Sequence, residues 1–220
     1  MKTTAIILAS GEGSRFSAYG SKQLAMLNGK AVFIQTIKKF EENPYIDEII
    51  LVINPNYRQD FECALKTESF QTGLTIVDGG STRQLSSFNG LRKCDDQSKV
   101  LIHDGARPFV DDTIITNAIN ALDKYPSISV VIDSVDTVYE LNDQNEIVSI
   151  PSRTKIKRVQ TPQGFSFDII KKAHELAKKD GRTDFTDDCS MVFHYKLAEI
   201  YCVEGDESNK KITYSDDLFE

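Results

Sequence analysis

The sequence predicts one α/β domain: a mostly parallel sheet covered by helices on both faces, with a β-hairpin arm inserted late in the chain. Three observations carry this. Short continuous apolar runs, rich in Ile, Val and Leu, recur as far as Ile132, the pattern of strands buried on both faces. Stretches with a helical apolar period lie between them. A segment at about 134–158 then breaks the alternation with two strand-like runs around a polar turn.

Taken in order, Thr4 to Ala9 reads as the first strand and Ala31 to Glu42 as a helix, with Val32, Ile34, Ile37 and Phe40 on one face. Glu48 to Ile53 is a strand closed by Asn54-Pro55, and Tyr57 to Lys66 a helix. Leu74 to Val77 is a strand ending at Asp78-Gly79-Gly80; Ser81 caps a helix from Thr82 to Cys94. Lys99 to His103 and Ser127 to Ile132 are strands around a helix from Asp112 to Tyr125. In the arm, 137–141 and 146–150 are strand-like and Asn142-Asp143-Gln144-Asn145 is the turn. An isolated hairpin is marginal in water, so the arm either pairs with another subunit or folds back on its own domain. Helices at Ser166 to Lys179 and Asp187 to Tyr195, a strand at Ala198 to Val203 and a short terminal helix complete the chain.

Composition sets outer limits. The 220 residues are 40% hydrophobic and 27% charged, enough for a single domain over 1–220 that includes the arm. A net charge of -7 argues against nucleic acid as a partner, which needs surplus Lys and Arg. No apolar run is long enough for a membrane span, and Met1-Lys2-Thr3-Thr4 carries no signal-peptide pattern; a cytoplasmic protein is expected. The cysteines Cys63, Cys94, Cys189 and Cys202 lack metal-ligand spacing and are expected to be reduced and buried.

The chemistry concentrates at strand ends, where open parallel sheets bind ligands. After the first strand come Ala9-Ser10-Gly11-Glu12-Gly13-Ser14-Arg15 and then Lys22. Glycines let backbone N–H groups approach a phosphate, and two cations can neutralise a triphosphate from two sides. Neither Gly-x-x-x-x-Gly-Lys-Ser/Thr nor Gly-x-Gly-x-x-Gly is present; Phe16 stands where a third glycine belongs. The loop therefore indicates an NTP-consuming enzyme, or else a plain glycine turn with two solvated cations. After a later strand comes Ile102-His103-Asp104-Gly105-Ala106-Arg107-Pro108. Asp104 suits Mg²⁺, which favours carboxylate plus substrate phosphates, or it caps the next turn while Arg107 is solvated.

Five strings occur in one order: Gly11-x-Gly13-x-Arg15 with Lys22-Gln23; Gly79-Gly80 with Arg83; His103-Asp104-x-Ala106-Arg107-Pro108; Thr161-Pro162-Gln163; and Asn209-x-Lys211-Ile212-Thr213. Over nearly the whole chain they resemble the family of 2-C-methyl-D-erythritol 4-phosphate and ribitol-5-phosphate cytidylyltransferases. The resemblance implies a Rossmann-like domain of the nucleotide-diphospho-sugar transferase type, a homodimer joined through the arm, and Mg²⁺. It implies that Arg15, Lys22 and Lys211 are catalytic around the CTP phosphates. Ala9, Ser10, Gly11, Glu12, Gly13, Gly79, Gly80, Arg83 and Ser86 would bind CTP, and Asp104 the metal. Arg107, Thr137, Arg153 and Thr161 would grip the polyol phosphate, some of them from the partner's arm.

The implied reaction is attack of a polyol phosphate on the α-phosphorus of CTP, with loss of pyrophosphate and formation of a CDP-polyol. Such transfers are catalysed by positioning and charge stabilisation, and an already ionised phosphate needs no general base. As acceptor, 2-C-methyl-D-erythritol 4-phosphate, an isoprenoid precursor, stands slightly ahead because the family centres on it. D-Ribitol 5-phosphate, used for teichoic acid or capsule, is the alternative, suggested by Ser86-Ser87-Phe88-Asn89-Gly90, Ile150-Pro151-Ser152-Arg153 and Thr186-Asp187-Asp188-Cys189. A non-enzymatic nucleotide-binding regulator is a more distant alternative. The chain departs from the family pattern at Ser21, where proline is frequent, expected to loosen the loop presenting Lys22; at Gly105, where alanine or valine is common; at Ser10, where alanine or glycine is usual; and at Lys210, a second cation beside Lys211. The chain ends soon after Leu218, where relatives continue with a longer helix, which suits a complete chain or one part of a bifunctional protein.

Overall fold

The structure, a computed structural model, describes residues 1–11 and 21–218. Its strands are β1 (Thr3–Ala9), β2 (Met26–Leu27), β3 (Lys30–Ala31), β4 (Glu48–Ile53), β5 (Gly73–Asp78), β6 (Lys99–Asp104), β7 (Ser127–Asp133), β8 (Glu140–Leu141), β9 (Ile147–Ser149), β10 (Lys157–Ser166) and β11 (Tyr201–Glu204). The helices are α1 (Val32–Glu41), α2 (Arg58–Leu65), α3 (Arg83–Leu91), α4 (Asp112–Ala121), α5 (Phe167–Lys179) and α6 (Asp188–His194).

Seven strands form one sheet in the order β11-β7-β10-β6-β1-β4-β5. The pairs β1–β4, β1–β6, β4–β5 and β11–β7 are parallel, while β10 runs antiparallel to both β6 and β7. The two-residue period of β1 divides the core. Ala5, Ile7 and Ala9 join Phe33, Phe40 and Phe61 under α1, α2 and α4. Ile6 and Leu8 join Leu91, Phe165 and Met191 under α3, α5 and α6. Covering both faces explains why these strands read as unbroken apolar runs.

Several expectations are corrected. Thr82, not Ser81, caps α3: its hydroxyl accepts from Leu85 N–H at 3.1 Å. The helix expected to reach Tyr125 ends at Ala121, and the last strand begins at Tyr201 rather than Ala198. Of the four cysteines only Cys189 is buried; Cys94 is half-buried, and Cys63 and Cys202 are exposed. Phe61 is the one buried residue of α2, and β11 is an edge strand, so both elements leave an outward face.

The arm is shorter in paired strand than its sequence suggests. Only β8 and β9 pair, around a turn in which Asn142 Oδ1 accepts from Gln144 and Glu146 N–H, both at 3.0 Å. Val135, Val138, Leu141, Ile147, Val148 and Ile150 along it are exposed.

Candidate active site

A cavity of about 580 Å³ opens at the carboxyl ends of β1, β4, β5 and β6. Ser10, Gly11, Lys22, Gly79, Gly80, Arg83, Ser86, Asp104 and Lys211, all anticipated from sequence, line it together. Arg15, Glu12 and Gly13 lie outside the described residues. Ala9 is fully buried with its methyl in the core, which leaves only its backbone for a ligand.

One wall is made by two loops in contact. The Ser10 hydroxyl donates to Ser86 Oγ at 2.8 Å, and Gly80 N–H donates to the same oxygen at 3.1 Å. A Cβ on Gly79 would stand 2.4 Å from the Ser10 Cβ, so glycine is required here by close approach rather than by backbone angle. Lys22 begins a single 3-10 turn (Lys22–Leu24) beside this wall. Ser21 before it has φ -71°, and its hydroxyl donates to Gln23 Oε1 at 2.5 Å. Serine adopts here the backbone angle that proline would impose.

The opposite wall gathers charge around Asp104. Lys211 Nζ lies 2.7 Å from Asp104 Oδ2, Arg83 Nε 3.5 Å from Oδ1 and Arg107 Nε 3.9 Å from Oδ2. Burial alone would push the Asp104 carboxyl up, but Lys211 first, then Arg83 and Arg107, hold it well below the usual carboxylate range. It is ionised at any working pH.

Three contacts fix this group. Asp104 N–H donates to Thr161 Oγ1 at 3.1 Å, and that hydroxyl meets His103 Nδ1 at 3.0 Å. His103 Nε2 meets the Arg107 carbonyl at 3.2 Å, which assigns the proton to Nε2 and makes Nδ1 the acceptor. Burial brings the His103 pKa down to about 3, so the ring is a neutral spacer. The segment carrying Lys211 is strapped across the end of β6 by Ile212 N–H on the Ala106 carbonyl at 2.8 Å. Buried Asn209 donates to the Thr161 carbonyl at 2.9 Å, and its own carbonyl accepts from Arg107 Nη1 at 2.7 Å.

The anticipated acceptor-binding residues divide. Arg107 and Thr161 sit beneath Asp104, engaged as just described. Thr137 and Arg153 lie on the arm and do not line the cavity; Arg153 Nη1 donates to the Val135 carbonyl at 3.1 Å. Sequence reasoning missed Asn54, Pro55 and Asn56, which line the cavity after β4. Asn54 and Pro55 were read only as a strand terminator, although the place of all three at a strand's carboxyl end was a usable signal. It also missed Asp188, whose Oδ2 takes a 2.6 Å hydrogen bond from Arg83 Nη1.

Among the described residues no three His, Cys, Asp or Glu side chains converge as a metal cage, and no helix is long and apolar enough to cross a membrane. Among the described residues Asp104 is the one carboxylate lining the cavity. A single ionised carboxylate beside a phosphate site is the protein's usual share in binding Mg²⁺, which takes its other ligands from phosphates and water.

Comparison with known proteins converges on one family. The family model described as IspD, 2-C-methyl-D-erythritol 4-phosphate cytidylyltransferase, matches residues 3–220. A 2-C-methyl-D-erythritol 4-phosphate cytidylyltransferase of Bacillus pumilus is 38% identical, over 97% of this chain and 92% of its own length. One from Clostridium acetobutylicum is 39% identical over 98% and 93%. The crystal structure of 4-diphosphocytidyl-2C-methyl-D-erythritol synthase from Anaerococcus prevotii superposes with a TM-score of 0.86 at 31% identity, covering 99% of this chain and 93% of that one.

Proposed function

This chain belongs to the 2-C-methyl-D-erythritol 4-phosphate cytidylyltransferase family, and we propose that it transfers CMP from CTP to 2-C-methyl-D-erythritol 4-phosphate, releasing pyrophosphate. The observation that carries this reading is the convergence of Lys211, Arg83 and Arg107 on Asp104 beside the Gly79-Gly80 wall. Fixed positive charge of this kind suits a site where a triphosphate and a second anion meet. The erythritol name borne by these relatives favours that acceptor over D-ribitol 5-phosphate.

In the proposed reaction an oxygen of the acceptor phosphate forms a bond to the α-phosphorus as the bond from that phosphorus to the bridging oxygen breaks. The electron pair leaves with pyrophosphate. Two anions must approach, so the first task is suppression of repulsion. Lys211 and Lys22 supply charge along the triphosphate, and the cations already set around Asp104 need no reorganisation as charge develops; Arg15, by the family resemblance, adds to them. Ser10, Ser86 and the Gly79-Gly80 backbone hold the nucleoside end. Asp104 would hold a divalent cation, which when bound would neutralise phosphate charge.

The arm completes the reading. Its exposed apolar side chains suit a surface that is covered in use, and Arg153 and Thr137 lie away from the cavity of their own chain. A second copy's arm would bring both to the acceptor's phosphate, where Arg153 offers a bidentate grip. Four free cysteines, two of them exposed, suit a reducing compartment and hence the cytoplasm.

The test is pyrophosphate release with CTP and Mg²⁺, comparing the two polyol phosphates. Strong preference for 2-C-methyl-D-erythritol 4-phosphate is expected. Preference for D-ribitol 5-phosphate would move the enzyme to the other branch, and release with neither would overturn the acceptor assignment.

A further inference from the structure

Asp188 opens α6 beneath the nucleotide cavity without lining it. Its side chain is only 1% exposed, and a carboxylate so buried persists only when it is paired. One oxygen accepts the 2.6 Å hydrogen bond from Arg83 Nη1. The other accepts a 2.6 Å hydrogen bond from the Ser87 hydroxyl, with His174 Nε2 3.6 Å away. Burial pushes this carboxyl up, but Arg83, His174 and Ser87 together hold it below the usual carboxylate range and keep Asp188 ionised.

The anchoring of Asp188 runs back to the strand that anchors Asp104. Gln163 Oε1 accepts from Asp188 N–H at 3.0 Å, and Gln163 Nε2 donates to Asp187 Oδ2 at 2.8 Å. Two positions earlier on β10, Thr161 holds the Asp104 N–H. One strand therefore holds the backbone of both aspartates that flank the Arg83 guanidinium, their carboxylates lying at 2.6 Å on the Asp188 side and 3.5 Å on the Asp104 side.

Arg83 lines the cavity, so its placement bears on the ligand. Asp187 also acts on Arg83, but its oxygens are taken up by Gln163 and the Ser190 N–H, so without Asp188 the guanidinium would be drawn toward Asp104, which Lys211 already holds. We infer that Asp188 is a positioning residue for nucleotide binding: it holds Arg83 back from Asp104 and aims it at the nucleotide. This rests on the cytidylyltransferase reading.

The experiment is steady-state pyrophosphate release by Asp188→Asn, which keeps shape and removes charge. The expected result is a KM for CTP raised about tenfold, with kcat within about threefold and the acceptor KM within about twofold. In an Arg83→Ala background the same substitution should leave the CTP KM where Arg83→Ala alone puts it, because one residue acts through the other. Ser87→Ala, which removes one hydrogen bond from Asp188 and keeps its charge, should raise the CTP KM about two- to threefold, and it decides the matter if Asp188→Asn does not fold. A folded Asp188→Asn with an unchanged CTP KM, effects that add to those of Arg83→Ala, or an unchanged KM in a Ser87→Ala that stands alone would each overturn the inference. An inert wild-type enzyme would instead overturn the reading beneath it.

Discussion

The rim around Asp104 and the arm are opposites in one chain. At the rim, a buried carboxylate and half-buried cations are held by contacts drawn from β6, α3, β10 and the segment around Lys211. On the arm, apolar side chains are exposed and two short strands pair only with each other. The rim inverts the usual division of residues between inside and outside because its charges neutralise one another. The arm inverts it with no compensation in its own chain. The described rim contacts all come from one chain, whereas the arm's apolar side chains lie open.

The largest effect expected is at the rim. Lys211→Ala should lower kcat by about 10²–10³-fold, since a fixed charge at the reacting phosphates is lost, while circular dichroism shows the fold retained. A kcat within tenfold of wild type would detach Lys211 from the chemistry. Next comes the arm's polar end. Arg153→Ala should raise the KM for the polyol phosphate by about 10–100-fold and leave the CTP KM within about twofold, the size of a lost bidentate charged contact. Equal effects on both substrates would erase the division between the regions.

The arm's apolar face gives a change of mass rather than rate. Val148→Glu with Ile150→Glu should shift sedimentation from two copies to one, with thermal stability of the domain nearly unchanged. A single-copy mass in the wild type would break the comparison outright. The smallest effect is on acid stability. The folded His103 value is down to about 3, against about 6.5 in an unfolded chain. Below pH 6.5 the unfolded chain takes up a proton that the folded one refuses. Stability is therefore full above that pH and falls toward pH 3, by at most about 1.4 kcal/mol per unit. Asp104, depressed in the fold, adds its own loss only below about pH 4. Denaturant midpoints between pH 4 and 6.5 should fall in the wild type and flatten in His103→Gln; parallel curves would remove His103 from the account.

The parallel strands were legible because burial on both faces leaves an unbroken apolar signature. β10 was not. Lys157 and Arg158 at one end and Pro162 and Gly164 within it read against a strand, yet it fills the gap between β6 and β7. The Asn28-Gly29 turn, with φ 49° and 81°, was a legible hairpin signal that went unused. At the site, glycines, Lys22 and Asp104 could be found because strand ends are where such residues matter. Pairing could not be found so. Arg83 and Asp188 stand 105 residues apart, and nothing local marks them as partners. Cys189 is buried as expected, but Cys63 and Cys202 are not, because residue type predicts burial only on average and an outward helix face or edge strand overrides it.

The central claim is that each site takes its nucleotide half from one copy and its acceptor half from the arm of another. Mixing Lys211→Ala with Arg153→Ala, after dissociation and reassociation, tests it most directly. In a two-fold symmetric dimer each mixed pair holds one site with both residues intact, so equal mixing should restore about a quarter of wild-type activity. A mixture no more active than the mean of its two parents would contradict the shared site.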